Sequence, residues 1–313
     1  MVDVSLVIPF LNEEDNLSEL IRQLNIYAET QDFSIEAILV DDGSTDSSVQ
    51  VLREIISKVP IRLVRLSKNY GSHAAIRAGL TQANGMHTMF FSADMQEPFS
   101  MIGEMYKIAH EGYDVVVARK SEVQISWSER FFSSLSTSLF RKFAVKDYPK
   151  GGANNFLFSQ KVREHICNNI ESNSSIHMQI INMGFKRAII DVSLNKRNAG
   201  KSKWTFSKKF KLLIDTFVAF SYTPIRAISM LGILMFIAGI LYALWIIIAT
   251  LTGYVDFDAG FPTLISVLLL GFGLTNFALG IVAEYIWRTL DAARGRPVFI
   301  IDTVEDITND KNS

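Results

Sequence analysis

Four short segments of the 313-residue chain concentrate oxygen and nitrogen ligands at close spacing. They read PFLNEEDN from Pro9, DDGSTD from Asp41, SKNYGSHAAIRAGL from Ser67 and SADMQEP from Ser92. Carboxylates such as Asp41 and Asp42 only accept hydrogen bonds, so they suit the hydroxyl and N–H groups of a ligand. Asp94 followed by Gln96 offers hard oxygen donors of the kind that hold Mg²⁺ or Mn²⁺ while leaving positions open. Arg119, Arg130 and the RNAGKSKW element, with Arg197, Ser202 and Lys203, supply forks and point charges for an anion. Plainer readings stand beside these. Asp42-Gly43-Ser44 also reads as a turn and helix cap, and at Asp46 the cap prevails. SADMQEP also reads as a surface turn before Pro98. Arg130 reads equally as a solvated surface charge, and Arg197 and Lys203 also fit membrane topology. His73 and His177 have no second His at ligand spacing and stay unassigned.

The elements that must position these residues alternate along the chain. Strands are expected at Val4–Pro9, Ile35–Val40, Ile61–Leu66, His87–Phe91 and Tyr113–Ala118, as continuous Val, Ile and Leu runs buried on both faces. Helices are expected at Glu14–Ala28, Ser47–Ser57, His73–Ala83 and Phe99–His110. Such alternation implies an α/β domain with a mostly parallel sheet, whose ligands bind beyond the carboxyl ends of the strands. Each of the four segments falls there. The turn after the first strand holds Pro9, Asn12, Glu13 and Glu14 instead of a Gly-rich run, which excludes a dinucleotide-binding dehydrogenase.

Two uncharged apolar runs, Ala227–Leu251 and Ala259–Ala283, flank a loop holding Asp256 and Asp258. At about 25 residues each, they are long enough to cross the ~30 Å hydrocarbon core. The sequence thus predicts a transmembrane hairpin with helices over about 227–251 and 261–285. Lys201, Lys203, Lys208, Lys209, Lys211 and Arg226 precede it, and Arg288, Arg294 and Arg296 follow it. The positive-inside rule then puts residues 1–200 and a tail over 288–313 in the cytoplasm, on a bacterial inner membrane. Residues 201–226 read as an amphipathic juxtamembrane segment, or alternatively as an ordinary core helix. No signal peptide is expected, since Met1 leads straight into the first strand. The net charge of −1 argues against a nucleic-acid partner, and the single Cys167 excludes an intramolecular disulfide. Glu284 and Arg288 are expected to form a local ion pair.

Taken in order, with RNAGKSKW and the closing GRPVFII at Gly295–Ile301, these motifs resemble the family 2 glycosyltransferases of the GT-A (Rossmann-like) fold. More narrowly the chain resembles the polyprenyl-phosphate glycosyltransferases, the group containing dolichol-phosphate mannose synthase and bacterial bactoprenol glucosyltransferases. The resemblance runs from Val4 to about Ile301. It implies inverting transfer of a sugar from a nucleotide diphosphate, by analogy a UDP-hexose, to polyprenyl (undecaprenyl) phosphate in cell-envelope glycan modification. By the same resemblance Pro9, Asn12, Glu13, Asp41 and Asp42 surround the nucleobase and ribose, and Arg119 contacts phosphate. Asp94 and Gln96 hold Mg²⁺ or Mn²⁺. Arg197, Ser202 and Lys203 close over the diphosphate, with Arg130 beside the acceptor. Asp94, Asn155 and Arg197 are the catalytic candidates.

Two positions depart from the group. Ser92 stands where it usually has the first Asp of Asp-x-Asp-x-Gln, so weaker metal binding is expected, with Ser92 left to contact the nucleotide or a metal-bound water. Asn155 stands where an acid usually precedes Phe156. A phosphate acceptor survives that loss, because a monoester is already anionic at pH 7, with a second pKa near ~6. The implied partners are a nucleotide sugar, a polyprenyl phosphate and the membrane. A second copy of the chain, packed through Gly271, Gly273, Ser266 and Asn276, and a flippase are further candidates. The alternatives are transfer to a lipid or glycan hydroxyl, and a catalytically degenerate nucleotide-binding scaffold. A processive synthase is disfavoured, since no Gln-x-x-Arg-Trp element is present.

Overall fold

The computed structural model describes residues 2–120, 149, 153, 155–170, 175–193, 223–252 and 261–307. The first strand, β1 (Val4–Phe10), is followed by helix α1 (Glu14–Glu29), β2 (Ile35–Asp41), α2 (Ser48–Glu54), β3 (Ile61–Leu66), α3 (Ser72–Gln82) and β4 (His87–Phe90). Then come α4 (Ser100–Ala109), β5 (Val115–Lys120), β6 (Asn155–Ser159), α5 (Gln160–Asn168), α6 (Ile176–Asn182) and β7 (Arg187–Val192). Two long helices, α7 (Thr223–Leu251) and α8 (Phe261–Arg294), precede a last strand, β8 (Ile301–Ile307).

Eight strands form one sheet in the order β7-β5-β6-β4-β1-β2-β3-β8. Neighbours pair in parallel except β6, antiparallel to β4 and β5, and β8, antiparallel to β3. Every residue of β2 is buried, as a strand covered on both faces requires. Val4, Leu6 and Ile8 of β1 share one apolar cluster with Leu17, Leu20 and Leu24 of α1 and Met101, Ile102 and Met105 of α4. Each such side chain contributes about 1.5–3 kcal/mol on burial. Val7 and Val40 face α3 on the other side. A Cβ on Gly79 would come within 2.4 Å of Val7 Cγ1 and 2.9 Å of Val40 Cγ2, so only glycine lets this helix lie so close.

β1 lies between β2 and β4, so the chain winds one way from β1 to β3 and then crosses to the other side for β4. That reversal opens a crevice at the carboxyl ends of β1 and β4, the general ligand position in such sheets. β6 runs back alongside β4, with Leu157 opposite Met89, and starts at Asn155, so it brings Asn155 to the same end.

The chain divides into two units, Met1–Asp215 with Pro297–Ser313, and Thr216–Arg296. The stretch after 288, expected as a tail, carries two elements. α8 runs on to Arg294, and β8 closes the sheet edge with alternately half-buried and exposed residues. Its Glu305 pairs with Arg53 and its Asp306 with Arg62, while Ser67 N–H donates to Ile300 O at 3.0 Å. Sequence boundaries otherwise shift by up to four residues: β5 runs over Val115–Lys120 instead of Tyr113–Ala118, α2 ends at Glu54 instead of Ser57, and α7 starts at Thr223 instead of Ala227. In the second unit α7 and α8 pack on each other, and Arg288 Nη2 meets Glu284 Oε1 at 2.9 Å as expected. Among the described residues, some side chains of these two helices not being included, no helix is long and apolar enough to cross a membrane.

Candidate active site

The loops after β1 and β2 are tied together by their own polar groups. Asn12 adopts a left-handed conformation (φ 52°), which Asn tolerates better than most residues. Its backbone N–H donates to Ser44 Oγ at 2.9 Å, and its Oδ1 accepts from the Thr45 N–H at 2.8 Å. Glu13 N–H donates to Ser48 Oγ, and Glu13 Oε2 accepts from Asn16 Nδ2 at 2.7 Å. Asp41 Oδ1 accepts from the Ser44 N–H at 2.8 Å, and its Oδ2 lies 3.5 Å from Arg65 Nε. Asp46, expected as the cap of α2, stands one residue before the N-cap Ser47, and its Oδ1 accepts from the Ser48 N–H, the first of the helix.

Asp42 holds the loop after β3. Its Oδ1 accepts from the Tyr70 N–H at 2.7 Å and its Oδ2 from the Gly71 N–H at 2.9 Å. Burial raises the Asp42 pKa; the Tyr70 and Gly71 amides pull it back down, and Asp41 adds to the rise. Gly43 (φ +79°) makes the close approach possible, since a Cβ there would sit 2.8 Å from Asn69 N and Lys68 C. The turn reading of DDGSTD holds, and through Asp42 the turn ties the loop after β2 to the loop after β3.

After β4 the carboxylates are held differently. Asp94, 8% exposed, accepts from Ser92 Oγ at 2.6 Å on Oδ1 and from Gln96 Nε2 at 2.9 Å on Oδ2. Met95 between them takes φ 55°, which curls the loop so that both flanking side chains reach one carboxylate. Glu97 is partly exposed as a residue, but its Oε2 is sealed from solvent and has no hydrogen-bond partner. Burial pushes its carboxyl up to about 7, and Asp94 adds to the rise, while backbone amides and the Asn155 side chain offset it. Asn155 is buried, and its Oδ1 accepts the Phe156 N–H at 2.7 Å. Ser92, Asp94, Gln96, Glu97 and Asn155 thus gather at one spot, all oxygen-bearing and suited to a hard divalent cation. Glu97 lay inside a motif the sequence singled out, but nothing in its spacing signalled a buried carboxyl.

Arg119 ends up in a two-point pair with Asp191 of β7, Nε to Oδ1 at 2.6 Å and Nη2 to Oδ2 at 2.8 Å. A phosphate at Arg119 would have to share the guanidinium with that carboxylate or displace it. Pro9 stands inside β1, opposite Val40. Arg130, Arg197, Ser202 and Lys203 lie outside the described residues. His73 and His177, more than a hundred residues apart in the chain, meet with ring centroids 5.6 Å apart, and His177 stacks on Phe156 at 5.1 Å. Burial lowers His73 to about 4 and His177 to about 3, so both rings are neutral at pH 7. Among the described residues no group of three His, Cys, Asp or Glu side chains is placed to hold a metal ion.

Residues 5–191 match glycosyl transferase family 2. The chain is 32% identical to an undecaprenyl-phosphate 4-deoxy-4-formamido-L-arabinose transferase of Edwardsiella ictaluri, over 96% of this chain and 94% of that one. It is 31% identical to the uncharacterized glycosyltransferase YkcC of Bacillus subtilis, over 98% of this chain and 96% of that one. Among solved structures, S. aureus TarS 1-349 in complex with UDP-GlcNAc is similar at a TM-score of 0.49 and 17% identity, over 70% of this chain and 66% of that one. With its mostly parallel mixed sheet in the GT-A arrangement and its acidic loop beyond β4, the chain is a glycosyltransferase and belongs to glycosyl transferase family 2.

Proposed function

We propose that this chain moves a sugar, with inversion, from a nucleotide diphosphate to a polyprenyl phosphate such as undecaprenyl phosphate, with a UDP-hexose as donor. The observation that carries the reading is the length of the likeness to the undecaprenyl-phosphate transferase. It runs through nearly the whole of both chains, so it takes in α7, α8 and β8 as well as the rest of the sheet. The chemistry of the crevice supports it. A phosphate acceptor needs placement more than deprotonation. Asn155, buried and engaged by the Phe156 amide, fits a site without a base at that position.

Asp94 with Gln96 would hold Mg²⁺ or Mn²⁺, since the donors are oxygens and the bonds to Asp94 from Ser92 and Gln96 come from side chains that can turn away. Bound there, the cation would neutralise charge as the nucleotide diphosphate leaves. Pro9, Asn12, Glu13, Asp41 and Asp42 would receive the nucleobase and ribose, and Ser92 would contact the nucleotide. Arg119, Arg130, Arg197, Ser202 and Lys203 would receive the phosphates.

We infer that α7 and α8 cross a bacterial inner membrane with the catalytic domain in the cytoplasm. Their full sequences hold no charged residue from Ala227 to Leu251 or from Ala259 to Ala283. Large apolar side chains along them, among them Met230, Leu241, Trp245, Phe272 and Phe277, are more than half exposed, and lipid would cover them.

Purified full-length protein in detergent, given undecaprenyl phosphate and a panel of UDP- and GDP-linked hexoses and pentoses, should form a chloroform-extractable product from a UDP-hexose. Product from a UDP-pentose alone would move the assignment to that sugar class. Tighter binding of GDP than of UDP by calorimetry would overturn the base. Folded protein that makes no lipid-linked product from any donor would overturn the reaction.

A further inference from the structure

We propose that Glu97 supplies the second carboxylate of the cation site beside Asp94, in place of the acid that Ser92 lacks. The inference rests on the metal-dependent reading above. Three features of the loop after β4 carry it. Both oxygens of Asp94 accept side-chain hydrogen bonds, whereas Glu97 Oε2 is sealed from solvent and accepts none. The groups that act on the Glu97 carboxyl are Asp94, the backbone amides of Glu97 and Ser92, and the Asn155 side chain, with no cation among the described residues. Ser92 and Asn155 are the two positions at which the resembling glycosyltransferases usually carry acids. A carboxylate reaching from position 97 toward both restores negative charge where those two substitutions removed it.

A buried carboxylate with no cation against it loses hydration that the amides and the Asn155 side chain only partly replace. A second carboxylate nearby adds repulsion. A hard divalent ion removes both costs together, because it takes oxygen from both acids. The backbone favours the arrangement: Pro98 disfavours a helical conformation at Glu97, which limits the directions its side chain can take. Gln96, between the two acids in sequence, already reaches Asp94.

The test is a Mn²⁺ titration of the detergent-solubilised full chain with UDP present, free Mn²⁺ being counted by electron paramagnetic resonance. Glu97→Gln, which keeps the side-chain shape, should weaken Mn²⁺ binding at least tenfold. Ser92→Asp added to Glu97→Gln should restore most of it. Glu97→Asp, which keeps the charge but withdraws it by one methylene, should fall between, and it carries the test if Glu97→Gln does not fold. Variants that bind Mn²⁺ as tightly as the unmodified chain would overturn the assignment and leave the metal reading intact. An unmodified chain that binds no Mn²⁺ with UDP would instead sink the metal reading, and this assignment with it.

Discussion

Asp42, beyond β2, and Asp94, beyond β4, are both nearly buried carboxylates, 4% and 8% exposed, yet the groups that satisfy them differ in kind. Asp42 is held by two backbone amides, Tyr70 and Gly71, which cannot leave without moving the chain. Asp94 is held by two side chains, Ser92 and Gln96, which leave by rotating. The first loop is built as a fixed wall. In the second, the Ser92 and Gln96 bonds can be exchanged for others, as the proposed site for a metal and a departing diphosphate would require. Neighbouring loops of one sheet edge thus put the same residue type to opposite uses.

The largest expected effect falls on the exchanging loop. Asp94→Asn should lower metal-dependent turnover by about a hundredfold or more, because the leaving group's charge would lose its counter-ion. Its melting temperature should barely change. Asp42→Ala should do the reverse in stability: two buried N–H groups lose their acceptor, at a cost of about 3 kcal/mol. Chemical denaturation of the two variants side by side checks this, and equal destabilisation would erase the contrast.

The histidine pair gives the next effect. Its neutral state is favoured by folding, since both folded pKa values lie below the ordinary 6.5. Unfolded rings therefore take up protons first as the pH falls. Stability held above pH 6.5 should drain away as the pH drops through about 4 toward 3, by several kcal/mol for the pair. His177→Phe, which keeps a ring on Phe156, should flatten that slope in denaturation curves taken at several pH values. Smallest of all, Asn155→Asp should change turnover only a few-fold, and a hundredfold rise would mean that the site needs a base there after all.

Much of this edge was legible in the residues. The apolar runs marked the early strands along the chain, and the rule that ligands sit at the carboxyl ends of strands pointed to the loops that follow them. That Asp46 serves the start of α2 was readable from its place before the helix, though the cap position itself falls one residue later, at Ser47. What stayed hidden depends on contacts between distant residues. The bond from Asp42 to residues 70 and 71 joins loops that only the sheet brings together. His73 and His177 meet for the same reason. Glu97 was visible as a residue, but its sealed oxygen is a property of packing. β8 had a readable two-residue alternation. The chain places it after two long helices, so it looked like a tail, while its Asp302, Glu305 and Asp306 suit an outermost strand.

The central claim is that the loop beyond β4 drives a metal-dependent transfer to a polyprenyl phosphate. It is met most directly by one assay: radiolabelled donor, undecaprenyl phosphate and saturating Mg²⁺ or Mn²⁺, with the unmodified chain and Asp94→Asn compared for chloroform-extractable label. The account predicts lipid-linked product from the unmodified chain, its loss on chelation, and almost none from Asp94→Asn at any metal concentration. Full activity of folded Asp94→Asn, or product undiminished by chelation, would contradict it.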